Sequence, residues 1–62
     1  MRMKIRFGSC TNLDLFFDEG EATGLFDTFY GCPSSMDAVV EADDTAAVRE
    51  LAESYGGEVV PL

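Results

Sequence analysis

The sequence predicts an α+β fold: a small, mostly antiparallel sheet of three to five strands, with one α-helix over about residues 44–55 packed on one face. Three observations predict it. Residues 2–7 alternate basic and apolar side chains, the period of two expected of a half-buried strand. Val48, Leu51, Ala52 and Tyr55 recur at helical spacing between Asp43-Asp44-Thr45, an N-terminal signal, and Gly56-Gly57, a stop. The chain has 62 residues, which make a single domain, 1–62, near the lower limit for autonomous folding.

In order along the chain, Met3, Ile5 and Phe7 form the buried side of a first strand, with Arg2, Lys4 and Arg6 opposite. Gly8 to Asn12 reads as a connection. Alternation of Leu13, Leu15 and Phe17 with Asp14, Phe16 and Asp18 predicts a second strand, leaving Phe16 on the uncovered side. The segment 18–21, DEGE, reads as a turn, and a third strand follows at about 24–30 until Gly31-Cys32-Pro33-Ser34 ends it. Residues 35–42 fit either a strand through Val39-Val40 or a short helix capped by Ser34 or Ser35; the β-branched pair favours strand. Glu58-Val59-Val60 reads as a short last strand that Pro61 closes.

The charge is large and uneven. Net charge is −8, and from residue 8 onward Arg49 alone opposes all twelve acids. With Val48 at the centre of the helix's buried stripe, Asp43, Glu50 and Glu53 fall on its outer side, Asp43 and Glu50 about 10 Å apart along the axis. Asp44 joins that row, and Asp37 and Glu41 extend it upstream. Asp18, Glu19 and Glu21, with Phe16 beside them, form a secondary candidate surface on the predicted hairpin. These are the partner-binding candidates.

Catalysis finds no support. Histidine is absent, so no ordinary general base acts near neutrality, and no serine or cysteine has an evident activator. The chain is expected not to be an enzyme. No CxxC pair is present and the EF-hand spacing is not met, so no metal or other cofactor is expected. Cys10 and Cys32 read as two small buried thiols, with one disulfide as the alternative. The basic residues near the N-terminus are too few for direct nucleic-acid binding by so acidic a chain. No apolar run approaches the ~20 residues of a membrane span, and no export signal is evident, so a cytoplasmic location is expected.

In size, acidity and lack of catalytic motifs, with the acidic helix Asp43–Glu53 and the acids at 18–21 as carriers, the chain resembles the phage-encoded anti-CRISPR proteins of the acidic DNA-mimic kind. That resemblance implies an inhibitor acting in a bacterial host cell. It would occupy the cationic DNA-recognition surface of a partner, such as a CRISPR effector complex, in place of nucleic acid. A monomer is expected. Two other readings compete. The acidity, with a single Lys, also fits a protein adapted to a salt-rich cytoplasm, and the acid-flanked Phe16 fits a small adaptor or subunit that docks by apolar contact.

Overall fold

A computed structural model describes residues 1–32 and 35–61, with the backbone alone over 28–32. The elements run β1 (Arg2–Arg6), α1 (Cys10–Ala22), β2 (Asp27–Cys32), β3 (Asp37–Glu41), α2 (Thr45–Ser54) and β4 (Glu58–Val60). The four strands form one sheet in the order β2-β3-β1-β4, and every neighbouring pair is antiparallel. Each helix thus links two strands that run the same way with a third strand between them. This is the split β-α-β connectivity, made twice, of the ferredoxin-like arrangement. The α+β class with an antiparallel sheet holds. The helix count does not: among the described residues there are two.

The first strand is as expected. Met3, Ile5 and Phe7 are buried, and the register sets Met3 opposite Val40 and Ile5 opposite Ala38 and Val59. Residues 37–41 form a strand, as the Val-Val pair favours, and β4 ends at Pro61. Helix α2 begins where the sequence places it: the Asp44 carboxylate accepts the Ala47 N–H at 3.0 Å, an N-cap.

The expected strand at 13–18 is instead the middle of α1, and the DEGE turn lies inside the same helix. Alternation of Leu13, Leu15 and Phe17 is real, but Leu13, Phe16, Phe17 and Gly20 also satisfy i, i+3, i+4, i+7, and that pattern wins. Local signals agree with it. The Ser9 hydroxyl accepts the Asn12 N–H at 3.2 Å as N-cap. At the other end Leu25 N–H donates to Gly20 C=O at 2.9 Å and Gly24 N–H to Glu21 C=O at 3.2 Å, with Gly24 at φ +69°. These are the two bonds of a Schellman ending. Helix α2 closes by the same device, Gly57 to Ala52 at 2.7 Å and Gly56 to Glu53 at 3.1 Å, with Gly56 at φ +74°. The third strand consequently starts later, at Asp27, and takes in Gly31 and Cys32; Pro33 and Ser34, expected to end it, lie outside the described residues.

Both helices cover one face of the sheet. Leu13 and Phe16 from α1 and Val48 and Ala52 from α2 join Met3, Ile5, Ala38 and Val40 in a single core. Phe16, expected on the uncovered side, is fully buried. Its ring stacks on Phe26 at a centroid distance of 4.8 Å and lies 5.0 Å from Phe7 and 6.0 Å from Phe17. Leu15, expected in the core, is 44 % exposed on the outside of α1. Gly20 makes room for Phe26: a Cβ built there would stand 2.0 Å from the ring.

Two stability measurements test this packing. Phe16→Ala removes a ring with three aromatic neighbours and is expected to cost about 3–5 kcal/mol, enough to unfold a domain of this size. Gly20→Ala should destabilise by about 1–3 kcal/mol through overpacking, against the higher helix propensity of alanine. Gly8→Ala, where a Cβ would meet nothing within 4 Å, is the control and should leave the urea midpoint unchanged.

Candidate functional site: an acidic helical layer

The sheet register sorts the charges before any side chain is considered. Arg2, Lys4 and Arg6 alternate with the buried residues of β1 and so lie on the face away from the helices. On β3, Asp37 pairs with Arg6 and Glu41 with Arg2, and on β4 Glu58 pairs with Arg6. Asp27 of β2 stands opposite Glu41. In the second-from-edge strand Arg6 is therefore flanked by acids from both neighbours and Arg2 by one from β3, the arrangement that favours cross-strand attraction.

Side chains complete it. Arg6 Nε donates to Asp37 Oδ1 at 3.0 Å, and Lys4 Nζ lies 3.8 Å from Asp37 Oδ2. Asp37 is only 6 % exposed beneath them. The Arg6 hydrogen bond, then the charges of Arg6 and Lys4, hold its carboxyl below the usual carboxylate range against the opposing effect of burial, and a hydrogen bond with Ser35 adds to this. The same hydrogen bond raises Arg6. Glu41 Oε2, shielded from water, stands 2.9 Å from the Met1 ammonium, which also donates to the Ala42 carbonyl at 2.7 Å.

The helical side differs. Asp14, Asp18, Glu19 and Glu21 are exposed on α1, and Asp43, Asp44, Glu50 and Glu53 are exposed on α2 and the loop entering it. Arg49 is the one cation among them, and among the described residues it forms no ion pair, not even with Glu53 four positions on. The helical layer thus holds eight acids against one base, while the other four acids share the sheet with three bases. The two helices are joined by Tyr55, whose hydroxyl donates to Glu19 Oε2 at 2.7 Å. That bond raises the Tyr55 pKa, with burial and the Glu19 charge adding to the effect.

The expected partner-binding residues therefore divide. Asp43, Asp44, Glu50 and Glu53 belong to the helical layer, and Asp18, Glu19 and Glu21 join them there on a helix, not a hairpin. Asp37 and Glu41, expected to extend the α2 row, lie on the opposite face because β3 is a strand of the sheet that the helix covers. Phe16 is no docking residue, since burial removes it from the surface, and the adaptor reading loses its carrier. Reading 13–18 as a strand and 18–21 as a turn hid the grouping of Asp14, Asp18 and Glu21. Their i, i+4, i+7 spacing is the signal that would have found it. Cys10, expected buried, is exposed at the first position of α1; the Cys32 side chain lies outside the description.

Among the described residues, no group of three or more His, Cys, Asp or Glu is placed to hold a metal ion, and no helix is long and apolar enough to cross a membrane. What the arrangement offers chemically is a field: exposed carboxylates in large excess over bases on one layer, and on the other ion pairs at Asp37 and Glu41.

The Asp37 contacts set a pH dependence. Its folded pKa lies below the unfolded one, so its stabilisation is present above the ordinary aspartate range near ~3.9 and is lost as pH falls through the folded value. Asp37→Asn should lower the melting temperature at pH 7 and flatten its decline below pH about 4, read by circular dichroism across a pH series. Compared with protein-family models, curated proteins and solved structures, the chain matches none.

Proposed function

We propose that the protein is a binding inhibitor that presents its helical layer to a cationic nucleic-acid-recognition surface of a partner and occupies it in place of nucleic acid. The observation that supports this best is the sorting of charge. Two helices far apart in sequence place eight carboxylates on one layer with a single cation, Arg49, that forms no ion pair among the described residues, while on the sheet Asp37 meets Arg6 and Lys4 and Glu41 meets the Met1 ammonium. Exposed carboxylates carried by a rigid layer engage Lys and Arg as phosphates do, with an attraction that salt screens. A CRISPR effector complex, the partner implied by the resemblance to acidic anti-CRISPR proteins, is one such surface, and the bacterial cytoplasm is the compartment in which it would be met.

Salt adaptation is the second reading, favoured by the one Lys in the chain and by acids that cover both helices rather than a single row. On that reading the layer meets water and cations, not a protein.

Neutralisation separates them. The sextuple variant Asp14→Asn, Asp18→Asn, Glu21→Gln, Asp43→Asn, Glu50→Gln and Glu53→Gln should fold, and should lose at least about tenfold in affinity for a purified CRISPR effector complex in a salt-dependent pull-down. The double variant Glu41→Gln, Glu58→Gln on the sheet face should bind as the parent does. Equal binding by the sextuple variant and the parent would sink the inhibitor reading. A melting temperature that climbs steeply from dilute buffer to molar KCl in the parent, but not in the sextuple variant, would favour salt adaptation.

A further inference from the structure

One hydrogen bond between the helices fixes which of their flanks meet. The Tyr55 hydroxyl, at the end of α2, reaches Glu19 of α1 at 2.7 Å. A second approach agrees: a Cβ built at Gly56 would stand 3.8 Å from the Asn12 side-chain nitrogen. Asn12, Leu15 and Glu19 follow at i, i+3 and i+7 and so share one flank of α1. Ala47, Leu51 and Tyr55 recur at steps of four and share one flank of α2. These two flanks face each other across a valley on the outer side of the helical layer.

Both walls of the valley carry apolar surface. Leu15, on the α1 side, is with Met1 one of the two large apolar side chains left exposed among the described residues. On the α2 side an open hollow of about 340 Å³ is lined by Ala47, Glu50, Leu51 and Ser54, and its Ala47 and Leu51 are only half-buried. A leucine exposed singly needs no explanation. Leu15 is different because the flank that carries it turns toward a partly apolar hollow. Acids stand above both walls. Asp18 and Glu50 each lie two residues after a core residue, Phe16 and Val48, and so about 200° round the helix from it. Both are exposed, and neither forms an ion pair among the described residues.

An apolar floor between acidic rims suits one kind of occupant, an amphipathic helix whose apolar stripe is flanked by Lys or Arg. Ala47 to Ser54 spans seven residues, about 10 Å at 1.5 Å per residue, the length over which such a helix places anchors at i, i+4 and i+7. The rims supply the complementary charge, and the floor supplies an attraction that salt does not screen.

We propose that the valley between α1 and α2 docks a basic amphipathic helix, with its apolar side chains on Leu15, Ala47 and Leu51 and its cations at Asp18 and Glu50. This deepens the inhibitor reading and rests on it for the setting: the docked helix belongs to the cationic surface that the protein occupies.

The test uses no effector complex, so the two can fail separately. Two synthetic Lys-Ala-Leu peptides of equal length, composition and charge are titrated into the ¹⁵N-labelled full chain at fixed ionic strength. One has its leucines along a single helical stripe, and the other has them scattered round the helix. The striped peptide should bind at least about tenfold more tightly, with saturable amide shifts centred on Leu15, Ala47, Leu51 and Ser54. Leu15→Ser, at an exposed position, and Ala47→Gln, which fills the hollow from the other wall, should each cut that advantage to about threefold or less. The rest of the spectrum should stay as in the parent. Equal binding of the two peptides, shifts spread evenly over both helices, or a full advantage kept in both variants would overturn the proposal. A striped-peptide preference, found beside equal effector binding by the sextuple variant and the parent, would keep the valley and remove the inhibitor reading.

Discussion

Everything in this fold hangs on the Phe16 ring and the space kept beside it. Phe16 touches Phe7 from β1, Phe17 from its own helix and Phe26 from the segment entering β2, so one side chain ties three parts of the chain together. Such ring pairs contribute about 0.5–1.5 kcal/mol each beyond the area they bury, a large share of what so small a core supplies. The stacked approach of Phe26 exists because Gly20 has no side chain, which makes the glycine a packing residue inside a helix it would otherwise weaken. Once α1 is seated there, the direction of β2 is fixed, β3 returns between β2 and β1, and α2 closes the remaining half of the same face.

Most of the fold was legible in the sequence, and the part that was not has a definite cause. The basic–apolar alternation of β1, the stripe and caps of α2 and the terminal EVV each point to one element, and the β-branched Val39-Val40 pair tips an otherwise ambiguous segment to strand; each formed the expected element. Residues 13–18 carry two periods. Leu13, Leu15 and Phe17 fit a strand, Leu13, Phe16 and Phe17 fit a helix, and a window of six residues is too short to arbitrate. The deciding signals lay at its edges: Ser9 three residues before Asn12, and Thr-Gly-Leu at 23–25, which repeats the ending that had identified α2 at 55–57. That one misreading propagated. It put Phe16 outside and Leu15 inside, and it assigned Asp18, Glu19 and Glu21 to a hairpin tip.

The charge of the molecule was legible in amount but not in placement. Sequence alone could locate Asp43, Asp44, Glu50 and Glu53 on the outer side of a helix. It could not show that a second acidic helix lies beside them, because that requires the topology. Nor could it show that Asp37 and Glu41 leave the row, because only the register puts them against Arg6 and Arg2.

The unequal layers have a consequence beyond the contacts they make. With nearly all the excess negative charge on the helices and near balance on the sheet, the molecule carries a strong permanent dipole directed across its thickness. In the field of a positively charged partner it experiences a torque as well as a pull. It therefore turns its helices forward while still tumbling at a distance, and a larger fraction of its collisions begin in one orientation.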